Sequence, residues 1–332
     1  MTLEKLRGRL LISLVLGLVV IVVLMAYGDF AQIGQAAAIF QWTLIPFILG
    51  LTLVNYLLRF VKWHFYLHVI GAGDTPVSDS FLMFFSGLSM VVTPGKLGEW
   101  LKSYLLKESR GIPFGRSAPI IVAERLTDAV AMLCLASGGF LMTQSGWQVA
   151  VSVLGLAAFM VVASQYKPLT DLLLALGERL PLLSSRMHHV REFLDSAQTL
   201  LRPRNLAVGI GLGFISWGAE SAAFFLILLG MGLQATPLIL TQAAFILNTS
   251  TLAGSLVMLP GGLGVAEGGI TGLSQLLFGM SADRAVVSTL LIRFCTLWFA
   301  VALGLVALTV FSRKLSRARD LGPALVETVA VD

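Results

Sequence analysis

Long runs of apolar residues, separated by short polar segments, make up most of the chain. Six of these runs approach or exceed the length of about 20 residues that a helix needs to cross a bilayer. Two shorter runs, at residues 81–93 and 236–259, each lead into a Pro-Gly segment. The pattern predicts an all-α polytopic membrane protein with full spans at residues 10–27, 44–63, 117–143, 148–165, 206–230 and 285–311.

The composition supports the same class of protein. Of the 332 residues, 57% are hydrophobic and only 12% are charged, and the mean hydropathy is +0.87. The polar side chains are too few to cover a water-soluble globule of this size. Both cysteines, Cys134 and Cys295, fall inside predicted spans, so we expect no disulfide framework, no metal cluster and no cofactor.

The basic residues are clustered between the predicted spans. A net charge of +5 is compatible with nucleic-acid binding, but the clusters lie where the positive-inside rule places cytoplasmic loops, with both termini inside. Only Arg284 is then left near the outer face. We therefore expect a multi-pass membrane protein without a nucleic-acid partner.

A Pro-Gly segment in the first half of the chain returns in the second half. After a two-residue insertion, the match continues over a glutamate and two arginines in one frame, which random apolar sequence rarely produces. The repeat therefore indicates a duplicated membrane protein. The matched pairs are Pro94 with Pro260, Gly95 with Gly261, Gly98 with Gly264, Glu99 with Glu267, Gly111 with Gly279, Arg116 with Arg284 and Arg125 with Arg293.

The predicted topology places the two Pro-Gly hairpins on opposite faces of the membrane. Residues 81–110 start and end inside, whereas residues 236–279 start and end outside. Inverted repeats with interrupted helices are the pattern of alternating-access transporters. The single transmembrane domain, residues 1–332, is expected to comprise an anchor helix and outer loop (1–43), a first repeat (44–143), a connecting span with cytosolic amphipathic helices (144–205), a second repeat (206–311) and a cytosolic basic tail (312–332).

The Pro-Gly segments are expected to interrupt their helices. Proline removes a backbone donor, and glycine adopts conformations that are closed to other residues. A helix that starts after such a break presents unpaired N–H groups and a positive dipole end to an anion. A plain kink is the alternative, and the hairpins are either re-entrant or pairs of full spans. The predicted break residues are Pro94, Gly95, Gly98, Pro260, Gly261, Gly262 and Gly264.

Two arginines lie deep within predicted spans. Arg125 and Arg293 each follow another arginine by nine residues, which places them about 12–14 Å into the bilayer. Charges at that depth are costly, so they are usually paired and functional. We predict that both face a shared polar cavity; a structural ion-pair network is the alternative. The predicted substrate-binding residues are Lys96, Glu99, Arg125, Glu267 and Arg293, supported by Glu124, Asp128, Glu220, Arg116 and Arg284.

Other polar residues admit simpler interpretations. Arg59 and Lys62, at the end of the second predicted span, are expected to extend towards the cytoplasmic surface. His64 and His68 have a spacing that suits a metal, but the sequence supplies no third ligand. Residues 168–203 carry two amphipathic stripes, which are expected to lie on the membrane surface.

Three motifs together resemble a known family. Pro-Gly-x-Leu-Gly-Glu at residues 94–99, Glu124-Arg125-Leu126-x-Asp128 and Pro260-Gly-Gly-Leu-Gly-x-x-Glu267 are similar to the flippase-like transmembrane domain of bacterial lysylphosphatidylglycerol synthase/flippase proteins and their stand-alone relatives. The resemblance covers nearly the whole chain and implies movement of lipids between leaflets; relatives occur in prenyl-linked glycan and hopanoid pathways. Lys96 stands where many relatives have glycine. The chain lacks the soluble aminoacyl-transferase domain, so we do not expect it to aminoacylate lipids.

The leading hypothesis, which the resemblance implies, is a multi-pass lipid translocase of the bacterial inner membrane, a transporter and not an enzyme. It would move an anionic phospholipid or a polyprenyl-phosphate-linked lipid between leaflets, with Glu99 and Glu267 as gates, amine ligands or proton carriers. One alternative is a membrane-embedded lipid-phosphate transferase or phosphatase. The other is a non-catalytic partner of a lipid-modifying or glycosyltransferase enzyme. The sequence leaves the oligomeric state open.

Overall fold

The structure, a computed structural model, describes residues 3–93, 97–140, 146–165, 187–257 and 259–320. Every regular element in these ranges is a helix, which confirms the all-α fold of a membrane protein. Helices suit a lipid surrounding because each satisfies its own backbone hydrogen bonds. They are α1 Leu3–Tyr27, α2 Phe30–Ile39, α3 Ile45–Val69, α4 Val77–Leu88, α5 Leu97–Arg110, α6 Phe114–Phe140, α7 Gly146–Gln165, α8 Met187–Leu200, α9 Pro203–Gly230, α10 Pro237–Leu256, α11 Val265–Phe278, α12 Ala282–Arg293 and α13 Phe299–Asp320.

Three helical segments in these ranges are long and apolar enough to cross a membrane, namely Trp42–Val69, Pro203–Gly230 and Ala282–Arg317. Val15–Tyr27 and Phe30–Ile39 pass the same test together, although they meet at 91°. They add a fourth span if the pair is one broken span. The six-span topology, the inverted arrangement of the repeats and the cytoplasmic position of the termini stay predictions.

The bend between α1 and α2 has a local cause. Asp29 adopts a positive φ of 61°, which no helix allows. Its carboxylate accepts a hydrogen bond from the backbone N–H of Ala31 at 3.0 Å and so caps the start of α2. The outer loop that we expected within residues 1–43 therefore contains a second helix.

The interior is organised around α9, which packs along α3, α6 and α10. Asn55 of α3 joins the α3–α9 contact by donating from Nδ2 to the carbonyl oxygen of Ser216 at 2.8 Å. Among the described residues, apolar side chains form three clusters, of which the two largest include Phe224 and Trp63 respectively. The close packing of α3 on α9 fixes the polar side chains that both helices direct towards a central cavity.

Helix α8 carries the second of the two amphipathic stripes. It buries Met187 and Ala197, and it packs against α6. The first stripe, residues 169–180, lies outside the described residues.

The helices that follow the two Pro-Gly segments are alike in length and in how they end. Helices α5 and α11 each have 14 residues. Each is followed by a glycine in the left-handed region, Gly111 (φ 68°) after α5 and Gly279 (φ 61°) after α11. A side chain at either position would strain the backbone, which explains why glycine stands at both matched places.

The second break is a turn of 3₁₀-helix over Pro260–Gly262. Gly261 (φ 60°) and Gly262 (φ 69°) leave the helical region inside this turn, and Gly264 (φ 85°) immediately precedes α11. The chain therefore reverses between α10 and α11 through glycines that tolerate positive φ.

The first break is described only in part. Pro94, Gly95 and Lys96 lie outside the described residues. Gly98, which we expected to belong to the break, lies inside α5. A side chain there would overlap the carbonyl oxygen of Gly87 in α4, so the role of Gly98 is to allow close packing of α4 and α5.

Candidate functional site

A polar cavity of about 110 Å³ lies among the helices that carry the two Pro-Gly regions. Side chains of α3, α6 and α9 line it together with the starts of α5 and α11. Five of the described lining residues are charged, although each charge inside a membrane protein is costly. The charged lining residues are Arg59, Glu99, Arg125, Glu220 and Arg293.

An ion pair joins the first Pro-Gly region to α6. The Nε atom of Arg125 donates to Glu99 Oε2 at 3.0 Å, and Nη2 contacts the other carboxylate oxygen. Two parallel contacts of this kind match the planar guanidinium to the carboxylate. Glu99 lies in the first turn of α5, so the pair fixes the start of that helix against the middle of α6.

A second ion pair joins the second Pro-Gly region to α12. The Nε atom of Arg293 donates to Glu267 Oε1 at 2.6 Å, and Nη2 donates to the carbonyl oxygen of Gly261 at 2.6 Å. The other oxygen of Glu267 accepts from the backbone N–H of Gly264 at 2.6 Å. Glu267 therefore caps the start of α11, while Arg293 pairs the carbonyl that the break leaves free.

Both ion pairs connect residues that are 26 positions apart. Glu99 corresponds to Glu267 and Arg125 to Arg293 in the repeat alignment, so matched residues make matched contacts. Arg125 and Arg293 also line the same cavity. Each guanidinium has a glutamate partner, an arrangement compatible with either a substrate site or a structural network.

Glu124 and Asp128, the nearest acids to Arg125 in sequence, have other partners. Lys102 of α5 donates to Glu124 Oε2 at 2.7 Å, and Lys62 of α3 pairs with Asp128. Lys62 is only 1% exposed. The expectation that Lys62 extends towards the membrane surface is therefore wrong, because its ammonium is neutralised inside the protein.

Arg59 and Glu220 differ from the other charged residues of the cavity. Arg59 lies over the ring of Trp217, 5.6 Å from the ring centre. Neither Arg59 nor Glu220 forms an ion pair or a hydrogen bond with a residue that the structure describes, and Glu220 is 7% exposed. The expectation that Arg59 points to the membrane surface is also wrong, since it lines the central cavity.

The sequence contained a signal for this inward face of α3. Asn55, Tyr56, Arg59, Lys62 and Trp63 recur at intervals of three and four residues, the spacing of one helix face. An interpretation based only on the end of the hydrophobic run overlooked that periodicity.

A π-helical turn, Phe294–Trp298, follows Arg293 directly. Such turns leave a backbone carbonyl without its usual partner and are frequent at functional sites. Here the hydroxyl of Tyr56 donates to the carbonyl oxygen of Thr296 at 2.6 Å. Thr296 also lines the cavity, so α3 is attached to the cavity wall at the irregular turn.

The two remaining supporting residues lie elsewhere. Arg116 donates from Nε to the carbonyl oxygen of Ile70 at 2.7 Å and from Nη2 to that of Gly71 at 3.2 Å. It thus satisfies carbonyls after the end of α3 instead of pairing with an acid. Arg284 is exposed and has no ion pair among the described side chains. Neither residue lines the cavity.

A further ionic cluster lies outside the cavity. Asp79, in the first turn of α4, accepts from Arg110 of α5 and from Lys314 of α13, each at 2.7 Å. Burial alone would raise the pKa of Asp79, but the hydrogen bonds from Lys314 and Arg110 outweigh this effect and lower the pKa below its ordinary value. The cluster ties three helices together.

The chain is similar to known sequences over most of its length. The profile of the family described as "Lysylphosphatidylglycerol synthase TM region" matches residues 10–304. A "UPF0104 membrane protein" of Methanothermobacter thermautotrophicus is 26% identical over 333 residues, covering 90% of this chain and 93% of that protein. Another match to a protein of that description in the same organism is 30% identical over 128 residues, 38% of this chain and 37% of that protein.

Proposed function

Because the chain belongs to the lysylphosphatidylglycerol synthase transmembrane-region family, we propose that it is a lipid translocase of the inner membrane and not an enzyme. It moves a lipid whose head group carries a phosphate, an anionic phospholipid or a polyprenyl-phosphate-linked lipid, between leaflets. The observation that carries the proposal is the cavity, where Arg59, Arg125 and Arg293 line one polar space inside an apolar helical protein.

The cavity meets the main physical requirement of lipid translocation. A phosphate cannot cross hydrocarbon alone, because removing its charge from water without a partner is very costly. Guanidinium groups supply N–H donors whose geometry matches phosphate oxygens. The outer surface remains apolar, as at Phe47 (66% exposed) and Leu276 (75% exposed), so acyl chains can stay in the surrounding lipid.

The two Glu–Arg pairs offer a way to couple head-group binding to movement. A phosphate that approaches Arg125 competes with Glu99, which holds the start of α5. At the other region a phosphate near Arg293 competes with Glu267, which caps α11. In the proposed cycle the head group loosens one helix start at a time and so opens the cavity alternately to each leaflet.

Purified protein in liposomes tests this function. The vesicles contain phosphatidylglycerol with a fluorescent acyl chain, and dithionite added outside destroys the fluorophore in the outer leaflet only. Wild-type protein should bring inner-leaflet lipid to the reagent. Arg125→Gln should slow this step about tenfold, the effect of one lost charge-assisted hydrogen bond. Arg313→Gln, at an exposed arginine of α13, is the matched control and should leave the rate unchanged.

Mass spectrometry of lipids extracted from the same vesicles separates the alternatives. Translocation with chemically unchanged lipid supports the translocase. Loss of phosphate, or transfer of the head group, would indicate a transferase or phosphatase. If neither translocation nor new lipid is detected, a partner role with a lipid-modifying or glycosyltransferase enzyme becomes the better explanation.

A further inference from the structure

The charges of the cavity fall into two groups. Arg125 and Arg293 are neutralised by Glu99 and Glu267, and both pairs also hold the start of a helix. These four side chains therefore carry structural contacts that a bound ligand would have to break. Arg59 and Glu220 are different, because neither forms a hydrogen bond or an ion pair with another described side chain, although Glu220 lies within electrostatic range of Arg59 and Arg293.

Arg59 and Glu220 line the same cavity without pairing with each other. The guanidinium of Arg59 is held over the ring of Trp217 by a cation–π contact. Glu220 follows Trp217 by three residues on α9, so the next helical turn directs it to the same side. At 7% exposure, Glu220 is more than nine-tenths buried. A buried carboxylate without a hydrogen-bond partner is costly, so Glu220 is suited to bind a cationic group of a ligand.

We propose that Arg59 and Glu220 bind the two ends of a zwitterionic lipid head group, the phosphate at Arg59 and a protonated amine at Glu220. The proposal rests on the translocase function and goes beyond it, because a head group that carries both charges is zwitterionic and not anionic. A head group with the phosphate alone would place a second anion beside the buried Glu220. A purely cationic head group would meet Arg59. Only a ligand with both charges satisfies both side chains at once.

Binding of short-chain lipids to the whole chain in detergent tests the site without a transport step. Titration calorimetry compares dihexanoyl-phosphatidylethanolamine, which has a phosphate and an amine, with dihexanoyl-phosphatidylglycerol, which has a phosphate and glycerol hydroxyls but no amine. We expect the ethanolamine lipid to bind about tenfold more tightly, because its amine gains a charge-assisted hydrogen bond at Glu220.

Two variants assign the two ends of the head group. Glu220→Gln should remove the preference for the ethanolamine lipid, while Arg59→Gln should weaken the binding of both lipids. Glu108→Gln, at an exposed glutamate of α5 outside the cavity, is the matched control and should keep the preference.

Equal affinity of the wild type for the two lipids, or tighter binding of phosphatidylglycerol, overturns the proposal. This comparison uses only the wild-type protein, so it tests the proposal even if the Glu220→Gln variant does not fold. A preference that persists in folded Glu220→Gln protein overturns it too. A Glu220-dependent preference in protein that translocates no lipid would leave the site standing and remove the translocase function. Lipid translocation by protein that shows no such preference would keep the translocase function and overturn the proposed head-group site.

Discussion

The two Glu–Arg pairs use the same residues at the same separation, yet they carry different contacts. In the first pair, Glu99 and Arg125 contact only each other through hydrogen bonds or ion pairs in the described part of the chain, and their side chains are 15% and 31% exposed. In the second, Glu267 and Arg293 also bond the backbone of the break and are 4% and 12% exposed. The matched residues therefore form one more exposed pair that can open at lower cost and one pair that secures a turn.

The largest difference should appear when each arginine is removed. Arg293→Gln should lower the free energy of unfolding by about 3–5 kcal/mol, because it leaves Glu267 unpaired and the Gly261 carbonyl without a donor. Arg125→Gln should cost about 1–3 kcal/mol, since water reaches Glu99 more easily. Thermal unfolding in one detergent measures both. Equal losses would contradict the division between an opening pair and a securing pair.

Exchanging the glutamate and the arginine within each pair further tests the difference between the two pairs. The double variant Glu99→Arg with Arg125→Glu can rebuild a two-fold contact, so it should recover about 1 kcal/mol relative to the less stable single variant. The corresponding exchange of Glu267 and Arg293 should recover nothing. An arginine at position 267 cannot accept the N–H of Gly264 and brings positive charge to a helix start.

A double-mutant cycle on each pair measures this contrast. The four proteins of each cycle are melted under identical conditions, and the coupling energies are compared. Recovery in the second pair as large as in the first would show that the cap at Gly264 contributes little.

Replacing Glu99 or Glu267 with neutral glutamine separates the contribution of each acid to stability from its contribution to transport. Glu99→Gln should slow lipid translocation about tenfold yet change the unfolding free energy by less than about 1 kcal/mol. Glu267→Gln should reduce both, because it weakens a helix cap as well as an ion pair. Translocation and melting are measured on the same preparations. If both variants translocate at the wild-type rate, the two acids are structural only.

The smallest effect is expected at the cluster of Asp79, Arg110 and Lys314 outside the cavity, whose two cations are partly exposed. Asp79→Asn should cost about 1 kcal/mol or less. Because the folded pKa of Asp79 lies below its unfolded value, the stabilisation is present above the unfolded pKa and is lost as the pH falls through the folded value. The difference between wild type and Asp79→Asn should therefore shrink below about pH 4. Melting curves at several pH values test this; a constant difference would contradict it.

The repeat frame singles out four charged residues that the structure places in the candidate site, although their role in binding stays a prediction. Glu99, Arg125, Glu267 and Arg293 stand out because charges in apolar runs are costly and because their positions match between the halves. The partner of Arg125 could not be identified, since Glu124 and Asp128 are closer along the chain. Contact with Glu99 depends on how α5 folds back against α6, a tertiary fact that spacing does not contain.

Arg59 and Lys62 were misinterpreted for a different reason. The apolar run in the sequence ends at residue 63, whereas α3 continues to Val69, so both residues lie well inside the helix. Their charges are compensated by residues far along the chain, Asp128 for Lys62 and the ring of Trp217 for Arg59. Hydropathy averages penalise a charge and cannot register such a distant partner.

The π-helical turn after Arg293 sets the rotational phase of a long helix. Arg293 before the turn and Ala300 after it both face the cavity, although the turn holds one residue more than an α-helix would need. Each residue advances an α-helix by about 100°, so deleting one residue between them would rotate one half relative to the other by that angle. Either Arg293 or Ala300 would then turn away from the cavity. The extra residue therefore sets a fixed rotation between the two halves of this helix. That rotation keeps Arg293 directed towards the Gly261 carbonyl at the break.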